Sequence, residues 1–413
     1  YGTRGITSGK GKLTIQGKEG SSLSTTGGSG TKGGSFGICA STGKLDLVDA
    51  TVTATGGVGG GGSGISANDE VNIKNSKLTA KGGGQLHPGE DTSTGGGTGI
   101  SLFMKGKVVV GEGSEVIAIG GDDKTVKRSA WGGAALRFWG TGVGCGYEVQ
   151  NGGKLTAIGG NAESKSGVAT GGDALNGTCG GIVSSGETTL IGGNAKSGSG
   201  EAVAGDGING DSCYFPEVTV KDGTFTALGG KAENASNTAT NGNSIYISPY
   251  GNEERTELKV EKGGTFITAK PDGSDENGNG ITGTIKINTN GGKIEEVENA
   301  KVVKKDDGTV NVVGNVVGVE TGNLKYELTA TVEPTCTTPG KRVYTCTTEG
   351  HKGEIYEEII SDALGHHFVN GVCTRCGAPE QAAAENGGSS AVTLTVTGAG
   401  AYETSIVDGR YTV

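Results

Sequence analysis

Along most of the chain, apolar side chains come in pairs two residues apart, separated by polar corners and glycine runs. One such pair recurs as Leu13/Ile15, Leu45/Leu47, Val71/Ile73, Val108/Val110, Val218/Val220, Leu258/Val260 and Ile285/Ile287. A phrase of the form Leu-Thr-Ala-x-Gly-Gly follows it, from Thr51 to Gly57, Lys77 to Gly83, Glu115 to Gly121, Lys154 to Gly160 and Thr224 to Gly230. A degraded copy spans Thr265 to Lys270. A third apolar point, usually a Gly-Ile step, stands at Ile38, Ile65, Ile100, Ile182, Ile208, Ile245 and Ile281. Spacing of i and i+2 puts both side chains on one face of a strand. Strands this short cannot bury that face alone, but stacked repeats share one continuous core. From Ala54 to Ala80, Ala118 and Ala157 the interval runs between 26 and 39 residues, which fits a constant core with variable loops. Three strand positions per repeat predict an all-β fold, a right-handed parallel β-helix; a propeller blade needs four strands. A β-sandwich with glycine-rich loops is the competing arrangement, but sandwiches seldom repeat a whole strand-corner-strand phrase.

Composition sharpens this picture. Glycine supplies 85 of 413 residues and proline 7. Glycine does not recur every third residue, which excludes a collagen helix, and in a helix interior it costs about 1 kcal/mol relative to alanine. Short strands with tight corners tolerate it, and the Gly-Gly pairs read as corners that turn without a side chain. The coils are expected over residues 1–296, with 297–330 as last coils or cap, including the valine-rich stretch from Val302 to Val319. Residues 331–380 read as a small Cys/His β module. Residues 381–413 read as a linker, Ala382 to Ser390, followed by a terminal strand segment from Ala391 to Thr397.

The formal net charge is -10, from 35 basic and 45 acidic residues, without a long basic tract. Nucleic acid, which needs a positive footprint, is a poor partner. No apolar run reaches the ~18 residues needed to cross a bilayer. The first residue is Tyr1 rather than Met, which reads as a processed protein or a cloned fragment. A single Met with abundant Thr, Ser, Gly and Asn fits a secreted or cell wall-associated monomer.

The repeat phrase resembles the pectin-lyase-like β-helical repeats of surface proteins from gut Firmicutes, including those called carbohydrate-binding-domain proteins. It covers about two thirds of the chain. That resemblance implies a fold shared by lyases, hydrolases, adhesins and passive stalks, not one activity. From Cys336 through Tyr344 and Cys346, then Ala363 to His366 and Gly371 to Cys376-Gly377, the sequence resembles a small module of clostridial secreted proteins. Members of that group carry a Cys-x-x-Cys-Gly after the Tyr-Thr, paired with a later Cys-x-x-Cys. Here Cys346 is followed by Thr-Thr-Glu-Gly-His351, so the first pair is incomplete.

Candidate chemistry is sparse. Cys373-x-x-Cys376 with Cys346 and His351 or His366 has the composition of a tetrahedral zinc site. A module of this size has little core, so a metal or disulfide would contribute to its folding. Disulfides between Cys336 and Cys346, or Cys373 and Cys376, are the other open reading. Cys39, Cys145, Cys179 and Cys213 read as small buried residues within the coils. Asp122, Asp123 and Lys124 form the best loop for an ionic ligand, calcium included. Asp206 and the other acids read as solvated loop residues. Trp131, Arg137 and Trp139 form the candidate glycan-binding set, with Arg137 and Trp139 on one strand face. Tyr214, Phe215, Tyr246 and Tyr250 are further aromatic candidates. The expected function is adhesion or glycan binding at a cell or host surface, without catalysis. A polysaccharide lyase or glycoside hydrolase on the same fold, and a passive spacer, are the alternatives.

Overall fold

The computed structural model describes residues 4–18, 21–29, 35–59, 61–84, 95–103, 106–139, 146–177, 181–210, 217–247, 257–269, 279–283, 285–304, 310–321, 324–379, 405–407 and 410–412. It divides into two compact units, Tyr1–Ala330 with Val343–Tyr356, and Thr331–Arg342 with Glu357–Val413.

The first unit is a parallel β-solenoid with three ladders. Among the described residues the first ladder stacks nine strands, from Ile6–Lys10 through Ile38–Thr42, Ile65–Ala67 and onward to Asn279–Thr282. Its inward column runs in register through Ile6, Ile38, Ile65, Ile100, Leu136, Leu175, Ile208, Ile245 and Ile281. The sequence reading placed Ile182 in this column. The structure instead pairs Ile182 with Tyr147 and Val218 in the second ladder, and Leu175 takes the first-ladder position. Cys179-Gly-Gly-Ile182 imitates a Gly-Ile step, while Ala-Leu replaces that step at Leu136 and Leu175.

The second ladder stacks the expected pairs Leu45/Leu47, Val71/Ile73, Val108/Val110, Val218/Val220 and Leu258/Val260, all buried. The third carries the Leu-Thr-Ala phrase, with Val52, Leu78, Val116 and Leu155 in one buried column and Ala54, Ala80, Ala118 and Ala157 in the next. Between these two ladders the chain turns through left-handed backbone at Asp49 (φ 48°), Asn75 (φ 44°), Gly113 (φ 68°) and Gly152 (φ 75°). Asn and Asp tolerate that region better than other side chains do. Here the Asn75 amide also donates to the Asp49 carboxylate at 2.8 Å.

The paired glycines are not corners. Gly120, Gly121, Gly132 and Gly133 have no positive φ, and what they permit is close approach of backbone to backbone. Successive peptide groups form one hydrogen-bonded column: Gly97 N–H donates to Gly83 O, Gly121 to Gly97, Gly133 to Gly121, Gly160 to Gly133, Gly172 to Gly160 and Gly193 to Gly172, at 2.7–2.9 Å. A Cβ on Gly133 would lie 2.0 Å from the Gly97 carbonyl oxygen, so no other residue fits without backbone movement.

This column is the neck of a side lobe that the sequence reading took for polar loops. Four coils leave the third ladder, form two short strands and return through the neck. The outgoing strands are Asp123–Thr125, Ala162–Ser164, Ala195–Ser197 and Ala232–Asn234; the returning ones are Ala130–Trp131, Ala169–Thr170, Ala202–Val203 and Ala239–Thr240. Their core is alanine: Ala130, Ala162, Ala169, Ala195, Ala202, Ala204 and Ala232. Ser164 and Ser197 hydroxyls tie the tips by donating to the carbonyls of Arg128 and Gly167.

Charge alternates up the outside of the stack. Lys77, Glu115, Lys154 and Glu187 occupy one register column, with Lys77–Glu115 at 3.4 Å and Lys154–Glu187 at 2.7 Å. In the lobe, Lys124, Glu163, Lys196 and Glu233 repeat the alternation. After the strand Lys293–Lys304 the third ladder turns antiparallel through Val310–Thr321 and Leu324–Val332. The valine-rich stretch therefore extends the sheet over Val297, Val316, Val319, Tyr326, Tyr344 and Cys346.

In the second unit, Phe368–Val369 pairs antiparallel with Val372–Cys373. The two connecting residues, Asn370 (φ 54°) and Gly371 (φ 74°), are the Asn-Gly pair that a two-residue hairpin turn needs.

Candidate functional site

The second unit gathers four metal-binding side chains. Ligand atoms of Cys336, His366, Cys373 and Cys376 all lie within 4.8 Å of one another. The hairpin presents Cys373, and the following turn returns Cys376, with Gly377 N–H donating to Cys373 O and Cys373 N–H to Ala378 O, both 2.8 Å. Arg375 donates to the Leu364 and Gly365 carbonyls, fixing the loop that carries His366. Leu364 N–H donates to Thr335 O at 2.8 Å, which ties in the loop of Cys336.

The spacing suits a tetrahedral ion. Zinc–sulfur and zinc–nitrogen bonds of about 2.3 and 2.0 Å put two sulfurs about 3.8 Å apart and a sulfur about 3.5 Å from a nitrogen. Cys336 Sγ and Cys373 Sγ are 3.8 Å apart, and Cys376 Sγ lies 3.4 Å from His366 Nδ1. A disulfide holds its sulfurs about 2.05 Å apart. Burial lifts both buried thiols. At Cys373 that lift is outweighed by the N–H groups of Cys376, His367 and Arg375 and by His366, which bring it down to about 5. Cys336 is pushed to about 11 by burial and by the neighbouring Cys376 and Cys373 sulfurs. A thiolate at Cys373 beside a neutral, sheltered Cys336 is part of a donor set that can hold a metal such as zinc, which would displace the thiol protons still bound.

The structure changes the membership of the expected set. His366, Cys373 and Cys376 come together, and Cys336 completes the group. Cys346 belongs to the other unit, 1 % exposed in its aromatic cluster. His351 lies in a turn, its Nδ1 2.9 Å from a Glu354 oxygen. Cys336 was hidden by its position before a strand, 37 residues from Cys373.

The ionic-ligand loop is part of the lobe. The Asp122 carboxylate accepts from Asn161 N–H at 2.6 Å, Asp123 accepts from Trp131 N–H at 3.0 Å, and Lys124 pairs with Glu163 at 2.7 Å. The same device continues upward, Asn161 Oδ1 accepting from Asn194 N–H and Asn194 Oδ1 from Lys231 N–H. Asp122 and Lys124 tie one coil to the next, while Asp123 joins the outgoing and returning strands of its own coil. Cys39 is buried, as expected; Cys145, Cys179, Cys213, Tyr214, Phe215 and Tyr250 lie outside the described residues.

Trp131 is half exposed on the lobe's returning strand, paired with Thr170. Arg137 belongs to the first ladder, paired with Asn176, and the neck residues Gly132 and Gly133 separate it from Trp131 in the chain. Trp139 shares Arg137's strand, but its side chain lies outside the described residues.

Beside Arg137 the first ladder carries a polar strip that sequence reasoning missed. Arg137, Asn176, Asn209 and Tyr246 share one register column. Asp173 and Asp206 stand just before their strands, and Asn243 opens the next one. Asn176 donates to the Asp173 carboxylate at 2.7 Å, and Asn243 donates to Asp206 from both its backbone and side-chain nitrogens at 2.7 and 2.8 Å. Thr282 donates to Asn243 Oδ1 at 2.8 Å. Asn209 Oδ1 is sheltered and accepts no hydrogen bond. Burial depresses the Arg137 guanidinium while the Asp173 charge opposes that.

Compared with known proteins, the chain matches no family model, no curated protein and no solved structure. Among the described residues no helix is long and apolar enough to cross a membrane.

Proposed function

We propose that the chain is a secreted or cell-surface repeat protein that binds glycans along the polar strip of its first ladder. The observation that carries this reading is the in-register column of Arg137, Asn176 and Asn209, flanked by Asp173, Asp206 and Asn243. Amides and carboxylates repeat there at the strand spacing of about 4.8 Å, and the side chains of Arg137, Asn176 and Asn209 are only partly buried. Sugar hydroxyls donate to such groups, and a linear glycan laid along the solenoid axis would meet one coil after another. The resemblance of the repeat phrase to surface-protein repeats supports the same compartment. In the second unit, Cys336, His366, Cys373 and Cys376 would hold zinc as a structural ion, with four protein donors closing the coordination sphere.

A glycan array probed with the purified chain and with Arg137→Ala tests the reading. The expected result is a reproducible set of bound glycans whose signal drops in the variant. Silence across the array, or unchanged binding by the variant, would refute it.

Glycoside hydrolysis is a second reading, favoured by the stacked carboxylates of Asp173 and Asp206, the latter lifted to about 7 by burial and then by the Asp173 charge. Hydrolysis pairs an acid with a carboxylate across the bond. Against it, one oxygen of each carboxylate is already engaged by the next coil's backbone N–H. Release of reducing ends from a bound glycan would favour this reading over simple binding.

A further inference from the structure

The column that precedes the first ladder is built from small or uncharged residues, with one interruption. Ser63, Thr98, Ala134, Asp173, Asp206 and Asn243 occupy it in order, each carbonyl accepting from the backbone N–H one coil earlier, as Ala174 N–H donates to Asp206 O at 2.9 Å. Two aspartates thus sit in consecutive coils, their backbones one strand spacing of about 4.8 Å apart along the stack. Asp206 is 8 % exposed. Asp206 N–H donates to Asp173 Oδ1 at 2.8 Å, so the two residues are also hydrogen-bonded to one another. Like charges at that separation and burial oppose joint ionisation.

We propose that the stacked, sheltered carboxyl groups of Asp173 and Asp206 resist ionising together near neutral pH and form a pH-sensitive clamp between consecutive coils. The clamp is closed in mild acid and strained in alkali. It sits against Asn176 and Asn209, so the order of the polar strip depends on it. The charged group acting on the pair from outside is Arg137, on the strand Leu136–Trp139; the neighbours Asn176, Asn209 and Asn243 are neutral amides. Arg137 opposes the lift on Asp173 without removing it, because burial outweighs it.

The direction of the pH effect follows. Burial, and then the Asp173 charge, raise Asp206 to about 7, above the ~3.9 of a carboxyl in the unfolded chain. Between those values the folded chain binds more protons than the unfolded one. Stability from this pair is therefore fully present near pH 4, declines as pH rises towards 7, and stays lost above it. This is opposite to the behaviour of a salt-bridged carboxylate.

The test is a carboxyl-carbon NMR titration of the whole chain, with thermal unfolding from pH 5 to 8. The expected wild-type spectrum contains a carboxyl signal titrating near pH 7 that disappears in Asp206→Asn. The wild-type melting temperature should fall by several degrees across that range, with a flatter slope in Asp206→Asn and an unchanged slope in the exposed control Glu201→Gln. The wild-type titration needs no variant to fold. Absence of any carboxyl titrating near 7, or a melting slope identical in wild type and Asp206→Asn, would overturn the clamp. The outcome is independent of glycan binding, which neither measurement reads.

Discussion

Replacing Gly133 by alanine tests why glycine stands at the neck. An added Cβ would sit 2.0 Å from Gly97 O and 2.7 Å from Gly96 C and O, all backbone atoms. Relief requires the two passes of chain to separate by more than an ångström. That movement stretches the bonds from Gly133 N–H to Gly121 O and from Gly160 N–H to Gly133 O, each 2.8 Å. Two weakened hydrogen bonds cost about 1 kcal/mol each, and overpacking adds roughly 1–3 kcal/mol. Alanine's smaller unfolded-state entropy returns about 0.4–1 kcal/mol. The net expectation is a loss of roughly 2–5 kcal/mol, concentrated in the coils either side of the neck. Gly84→Ala is the control, since its Cβ would meet only Asp122 O at 3.4 Å and its backbone is not left-handed. That variant should match or slightly exceed wild type. The assay is urea unfolding with hydrogen exchange, because a stacked array can open coil by coil. Wild-type stability in Gly133→Ala would refute the close-approach argument and return these glycines to the role of flexible corners.

Three further outcomes follow from the packing. Ile73, with no exposed surface, lies in the second ladder, so Ile73→Asp should bury an unpaired carboxyl and melt several coils; near-wild-type thermal unfolding would contradict the register. Elemental analysis after purification with zinc should find about one ion per chain, lost in Cys336→Ala and kept in Cys346→Ala and His351→Ala; retention in Cys336→Ala would contradict the donor set. Lys154→Glu would place three acids in the column with Glu115 and Glu187, costing on the order of 1 kcal/mol at low salt and less at high salt; a salt-independent effect would mean that the alternation is not electrostatic.

The coil core was legible because its signal is local. Leu45/Leu47 and Val71/Ile73 each announce a strand face within three residues, and repetition sets the register. The Gly-Ile step is a weaker guide: its copy at Ile182 belongs to a second-ladder strand, and at Leu136 and Leu175 alanine stands where the step has glycine. The lobe was hidden for a physical reason. Its core is alanine and serine, small enough for two strands to meet across a narrow gap, and such residues give no hydrophobic period in a single repeat. Asp206 reads as a loop acid along the chain, but burial in the stack, and then the charge of Asp173 one coil earlier, make it hard to ionise. The metal cluster was found in part: Cys373-x-x-Cys376 is a local signal, but choosing Cys336 over Cys346 depends on how a distant loop is tied to the hairpin. Trp131 and Arg137 are six residues apart in sequence and lie on different strands, because the glycine neck comes between them.

The most direct test of the glycan-binding strip is a calorimetric titration of the whole chain with linear oligosaccharides of increasing length, drawn from whatever the array identifies. A ligand lying along the first ladder gains hydrogen bonds from Arg137, Asn176, Asn209 and Asn243 in successive coils. Affinity should therefore climb with each added sugar, level off once the strip is covered, and fall in Asn209→Leu. Full affinity from a single sugar, or equal binding by Asn209→Leu, would contradict the strip and move recognition elsewhere on the molecule.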